Sequence, residues 1–247
     1  MISLTPDVVG KTTVTITINN KTFQVNINTL GVDVPNSLLL STKQKKQITV
    51  KGINGIKWNS SNSSVVSVSK NGTIYAKKTG NAVLIGTLGD LQLGCAVSVV
   101  TPARKRTVQK AIQIAKTCTY SQPKRMQEKF YDCSSLVWKS YHKNGVNFGM
   151  AYYAPVAADM GKWCAQHKKL VSGGLSQANI QNMKLNPGDV MFETGQKNGR
   201  YKGIYHVEMI TGYIFYGFDG NGKAELGIQW ATGGEKYYPM GQMVGRP

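Results

Sequence analysis

The sequence predicts two domains, an all-β sandwich followed by an α+β domain, and three observations carry that expectation. Residues 29–101 hold short runs rich in Val, Ile and Thr, separated by Gly, Asn, Asp and Ser, the pattern of strands joined by turns. Beyond residue 107 the apolar spacing becomes helical, and strand-like runs return only later; helices first and strands afterwards suit an α+β unit. A length of 247 residues is enough for two modest domains, each burying its own core.

Residues 1–28 are expected to end in a β-hairpin. The stretch "GKTTVTITINNKTFQVNI", from Gly10, lies over "GNAVLIGTLGDLQLGCAVSV", from Gly80, with an alternating strand, a polar turn near the same offset and a second alternating strand. This hairpin is either the last one of a preceding repeat or an extra strand pair of the domain that follows. A lone hairpin is marginal in water, so it must pair onto a neighbour or move.

Within residues 29–101 the strands are "QITVKGI", "SVVSVSK", "GTIYAKK", "NAVLIGTLG" and "LQLGCAVSVV". Trp58 is a large anchor for the space between two sheets, and Asn71 with Gly72 suits a tight hairpin. Cys95, among Leu, Ala and Val, reads as a core residue. The run "IKWNSSNSSVVSVSKNGTIYAKKTGNAVLIG" resembles the second group of bacterial Ig-like domains, which implies an Ig-like β-sandwich here.

The segment "TPARKRT" breaks the strand pattern with a proline and adjacent basic residues. Residues 102–107 are therefore expected to form a basic linker open to trypsin-like proteases. Residues 108–247 make the second domain. "TVQKAIQIAKTC" places Val108, Ile112 and Ala115 on one helical face, and "SSLVWKSYHKNG" is a helix stopped by Asn144 and Gly145. "GDVMFET", "IYHVEMITGYIFYGF" and "KAELGIQWATG" follow as strands.

The chain carries 30 Lys+Arg against 12 Asp+Glu, a formal charge of +18, which draws it to polyanions. The basic residues are spread through both halves, without a strongly basic helix, a stacking-aromatic motif or zinc-finger spacing. This argues against nucleic acid and for diffuse attraction to an acidic surface. No apolar run approaches the roughly 20 residues of a membrane helix, so membrane insertion is not expected. "MISLTPDVVG" lacks the basic start and apolar stretch of a signal peptide.

Cysteine and histidine hold the candidate chemistry. Cys118 and Cys164 are core residues or a disulfide pair, and "CAQH" gives Cys164 and His167 a ligand-like spacing that no second pair completes. Cys133 stands at the start of a helix, where free backbone N–H groups and the positive dipole end favour a thiolate and can hold an oxyanion. Asp132 is suited to cap that helix. Among the three histidines, His142 is more than two turns along the helix of Cys133, and His167 sits in a Lys-rich turn. His206 heads the alternating strand "HVEMITGYIF" and can face a helix tip.

Four motifs in order, "YDCSSLVW", "LNPGDVMFE", "YHVEMITGY" and "IQWATG", resemble the NlpC family of papain-like cysteine peptidases, which cut bacterial peptidoglycan. The upstream "YSQPKR" is similar to the segment before the nucleophile in phage-encoded members. The resemblance implies Cys133 as nucleophile, His206 as general base and Gln229 as the residue that orients the imidazole, with Glu208 the rival for that role. It further implies Tyr120 and the backbone N–H of Cys133 or Ser134 on the oxyanion side. The chemistry is acyl transfer through a thioester, with no cofactor or metal. The bond implied lies between D-glutamate and the diamino acid of the stem peptide. Two alternatives stand beside it: an N-acetylmuramoyl-L-alanine amidase of the CHAP type, or a wall-binding or virion structural protein without activity. The implied partners are peptidoglycan, anionic wall polymers and phage tail or other virion proteins, and the implied location is extracellular or on a virion.

Overall fold

A computed structural model describes residues 10–29, 31–51, 55–233 and 238–247; the first nine residues of the expected 1–28 hairpin segment lie outside them. The N-terminal half is all strand: β1 (Gly10–Ile18), β2 (Lys21–Thr29), β3 (Gly31–Asp33), β4 (Ser37–Ser41), β5 (Lys45–Gln47), β6 (Thr49–Lys51), β7 (Lys57–Ser60), β8 (Val66–Val68), β9 (Thr73–Ala76), β10 (Gly80–Leu88) and β11 (Leu91–Val100). Then come α1 (Pro102–Thr117), β12 (Thr119–Tyr120), β13 (Phe130–Tyr131), α2 (Cys133–His142), α3 (Ala157–Gln166) and α4 (Gln177–Gln181). The chain closes with β14 (Val190–Thr194), β15 (Ile204–Phe218), β16 (Ala224–Trp230) and β17 (Met243–Gly245).

The sandwich pairs the sheet β4-β11-β10-β7 with the sheet β5-β9-β8. Leu40, Ile48, Val66, Ile74, Leu84, Cys95 and Val97 fill the space between them. Trp58 packs at the rim of this core rather than at its centre, because β7 is an edge strand. Its ring lies over Gly86, where a Cβ would come within 2.8 Å of it. At the turn after Asn71, only Gly72 takes the left-handed conformation, at φ 81°.

The β10–β11 hairpin is covered on both faces. Val83 and Ala96 point away from the sandwich interior and join Met191, Ile210, Tyr213 and Leu226 in a second core. This explains why "NAVLIG" and "CAVSVV" are nearly unbroken apolar runs instead of alternating ones. At Gly94 the approach is so close that a Cβ would sit 2.2 Å from the Phe215 ring. Hydrogen bonds fix the contact: Phe215 N–H donates to Asn36 O at 2.9 Å, and Asn81 Nδ2 donates to Leu185 O at 2.9 Å.

The C-terminal sheet is antiparallel, in the order β16-β15-β14-β17. One face packs on the Ig-type sheet; the other, through Val207 and Met209, packs on Val108, Leu136 and Met160 of the three long helices. The three long helices therefore cover one face, and the Ig-type sheet together with α4 covers the other.

Three expectations need correction. Residues 102–107 are not a linker but the opening turns of α1. Thr101 Oγ1 accepts from Arg104 N–H at 3.2 Å, and Pro102 takes the first helical position, where its missing N–H costs nothing. Two of the three basic side chains are engaged: Arg104 donates to the Tyr141 hydroxyl and Pro247 O, and Lys105 Nζ donates to Gln44 Oε1 at 2.7 Å. Second, α1 buries Val108, Ala111 and Ile114, while Ile112 is exposed, because the i, i+3 row is the one that meets α2. Third, Cys118 and Cys164 form no disulfide, and all four cysteines are free thiols; Cys164 is core, beside Val190 and Phe192. The shared core and the helical junction predict a single cooperative melting transition in calorimetry. Trypsin is expected to leave Arg104, Lys105 and Arg106 uncut under native conditions.

Candidate active site

Asp132 starts α2 with a reciprocal cap. Its carboxylate accepts from Ser135 N–H at 2.7 Å, and its own N–H donates to Ser135 Oγ at 2.8 Å, so two orphan donors of the helix start are satisfied at once. Ser134 Oγ also donates to the carboxylate, at 3.2 Å. Arg125 completes the arrangement with an ion pair to Asp132 at 3.1 Å, both side chains being nearly buried. The Ser135 amide is thus used, while those of Cys133 and Ser134 are left facing the helix tip.

The two amides serve different atoms. The Ser134 N–H and, from the neighbouring sheet, the Val207 N–H point at the sulfur of Cys133. The Cys133 N–H points at the Tyr120 hydroxyl. Tyr120 is held there by the short parallel pairing of β12 with β13 and by an edge-on contact with Tyr131 at 5.5 Å between centroids. Burial pushes the Cys133 thiol above the ordinary range and Asp132 adds to the push; the Val207 and Ser134 N–H groups and Arg125 pull it down without cancelling the rise. At neutral pH the sulfur is therefore protonated. A raised thiol pKa means that thiolate keeps accumulating at higher pH. Alkylation of Cys133 by iodoacetamide is accordingly expected to accelerate beyond about pH 8.5, the ordinary thiol value, as read by peptide mass mapping across a pH series.

Val207 follows His206 on β15, so the sulfur's contact with the Val207 N–H brings the helix tip to the strand that carries the imidazole. His206 is half-buried. Its ring stacks near-parallel on Tyr238, with centroids 6.2 Å apart and planes 19° apart. Glu193 of β14 stands directly across from His206 in the ladder, on the same face of the sheet. Glu208, two residues along β15, shares that face and is buried. It accepts from Met209 N–H at 3.1 Å and from Thr232 Oγ1 at 2.7 Å. The Tyr238 hydroxyl also bonds to Glu208; burial first, then the charges of Glu208 and Glu193, raise the tyrosine's pKa. Glu208 is thus not an exposed strand carboxylate.

Gln229 does not orient the imidazole. The β15–β16 register places it opposite Gly212, six residues along from His206, or about 20 Å at roughly 3.3 Å per residue. Its Oε1 accepts from Ser37 Oγ at 2.9 Å, so it ties the two domains together. Gln229→Ala is expected to cost about 1 kcal/mol of stability in urea unfolding and to leave activity unchanged. His142 stacks on Trp138 at 4.1 Å and His167 on Trp163 at 4.3 Å, each one helical turn from its partner.

Tyr238, Glu193 and Arg125 belong to this site and were not singled out from the sequence. Glu193 lies within the quoted "LNPGDVMFE" and Arg125 within "YSQPKR", but only strand pairing and the buried ion pair reveal their places. A groove of about 700 Å³ is lined by Thr211, Ile228, Trp230 and Tyr238, among others.

Residues 34–99 match the family model of the bacterial Ig-like domain (group 2). The N-terminal sandwich is therefore an Ig-like all-β domain of that kind. Among solved structures, a GH10 xylanase from termite gut that contains a bacterial Ig-like domain is 22% identical, covers 26% of this chain and 18% of its own, and has a TM-score of 0.25. Domains 4 and 5 of the S-layer protein SbsC are 18% identical over 40% of this chain and 62% of theirs, with a TM-score of 0.24. An intimin mutant of EHEC O157:H7 is 12% identical over 57% of this chain and 79% of its own, with a TM-score of 0.23. The chain spans less than two thirds of the length of the first two. No curated protein matches it.

Proposed function

We propose that residues 102–247, from α1 onward, form a papain-like, NlpC-type cysteine peptidase that hydrolyses an amide bond in the peptide stems of bacterial peptidoglycan. The Ig-like domain is fixed to it at the wall. The reading is supported above all by the Cys133 sulfur sitting at a helix tip against the N–H of the residue that follows His206. His206 takes the thiol proton, and the thiolate attacks the amide carbon. The resulting oxyanion lies beside the Cys133 N–H and the Tyr120 hydroxyl, which are already gathered at the helix start. His206 then returns the proton to the leaving amine, and water hydrolyses the thioester to free the enzyme. Tyr238 positions the imidazole by stacking on it, and Glu208 and Glu193 supply negative potential on the same face. A charge of +18 suits a wall rich in anionic polymers, and an extracellular or virion-borne setting, with phage tail proteins as neighbours, is part of the proposal.

Digestion of purified wall followed by mass spectrometry of the new amino termini tests the choice of bond. A new terminal diamino acid is the expected product. A new terminal L-alanine identifies the amidase instead, and no new terminus leaves a wall-binding protein without activity.

A further inference from the structure

The β1–β2 hairpin repeats β10–β11 residue for residue. Each has nine cross-strand pairs around a two-residue turn: Gly10 pairs with Thr29 and Ile18 with Lys21, just as Gly80 pairs with Val99 and Leu88 with Leu91, a constant offset of 70 (80 − 10 and 99 − 29). Both open on a glycine in the same unusual conformation, φ 158° at Gly10 and φ 145° at Gly80.

The correspondence extends to the faces. In β10–β11, Leu84, Cys95 and Val97 point into the sandwich and are covered by Ile48, Val66, Ile74 and Ala76. Their equivalents in the first hairpin are Val14, Val25 and Ile27, joined on that face by Ile16, Ile18 and Phe23. Among the described residues this face lies open: Ile18, Phe23 and Val25 are 58%, 53% and 45% exposed. The opposite face differs. Where β10–β11 turns Val83, Ile85 and Ala96 to the C-terminal domain, the first hairpin carries Thr13, Thr15 and Asn26, which need no cover. Among the described residues, β1 and β2 pair only with each other, whereas β10 and β11 are flanked by β7 and β4.

We infer that the β1–β2 hairpin is a docking surface for the complementary strands of another Ig-like repeat. These strands would cover the Val14–Ile16–Phe23–Val25 face as β5, β8 and β9 cover β10–β11, and would pair with its two open edges as β7 and β4 do. The occupant is Ig-like because the face carries the inward half of an Ig-like core, at the same register and with the same strand lengths, while its reverse face is built for water.

The test uses hydrogen exchange read by mass spectrometry on the full chain. In one sample a second copy of residues 34–79 is inserted directly before Gly10. In another the unaltered chain is mixed with a synthetic peptide spanning Lys45–Ala76. Exchange of the 10–29 segment is expected to slow at least tenfold in either sample, with Phe23→Asp removing the protection while leaving the 80–99 hairpin protected. Unchanged exchange of 10–29 in both samples overturns the inference. So does concentration-dependent dimerisation of the unaltered chain that Phe23→Asp abolishes, since the face would then belong to a second copy.

Discussion

Cys133→Ala is expected to lower wall hydrolysis by at least about 1,000-fold, since residual activity after loss of a nucleophile comes only from binding and oxyanion contacts. The loss should not come from unfolding. Cys133 is half-buried at a helix start, and its replacement removes one sulfur without disturbing the Asp132–Ser135 cap, which is built from neighbouring residues. The melting temperature should stay within a few degrees of the parent. His206→Ala is expected to cost about 100- to 10,000-fold, the range for a general base. The double variant should be no worse than Cys133→Ala alone, because the base has no function without the thiol. Zymography beside turbidity loss of purified walls reads all three. Equal clearing by Cys133→Ala and the parent removes the catalytic reading.

Asp132→Ala carries the largest expected cost in stability, about 3–5 kcal/mol, because it strands the buried Arg125 guanidinium. Arg125 has been taken out of water, with two of its nitrogens engaged by Asp132 and by the Ala154 and Pro155 carbonyls, and among the described residues Asp132 is the carboxylate that pairs with it. The same substitution deletes the helix cap, worth about 1 kcal/mol, but the two losses share one carboxylate and do not add. Asp132→Asn keeps an acceptor for the Ser135 N–H without the charge, so its cap should survive while the ion pair does not. Urea unfolding with an unchanged slope distinguishes a true stability loss from a change in the unfolded state. A cost below about 1 kcal/mol for Asp132→Ala would show that the Arg125 pair is not buried as described. Asp132 adjoins Cys133, so loosening the cap is expected to move the thiol relative to Val207 and, on the proposed function, to lower turnover even where the fold survives.

Elements with a strong local signature were legible in the chain. The fifteen residues of "IYHVEMITGYIFYGF" form one strand, β15, and "YDCSSLVW" opens on an N-capped helix with Cys133 at its first position. The hairpin from Gly10 forms with Asn19 and Asn20 both at positive φ, the turn that this dipeptide position favours. What failed depended on contacts made by distant segments. The "TPARKRT" stretch reads as a linker by charge, yet Thr and Pro are also a helix start, and Tyr141, Pro247 and Gln44 are what make helix the outcome. Gln229 fits a motif by order along the chain, but strand register, shifted by irregularities between Ile210 and Gly212, decides which side chains meet. Tyr238 and Glu193 carry no local signature, because their roles come from stacking and cross-strand pairing with His206.

Acid quenching of the first turnovers on soluble wall fragments, followed by peptide mass mapping, tests the central claim most directly. A thioester-linked acyl group on the peptide containing Cys133, absent from the His206→Ala variant, is the result predicted. Products released with no acyl group on any cysteine, or an acyl group on Cys118 in place of Cys133, would contradict it.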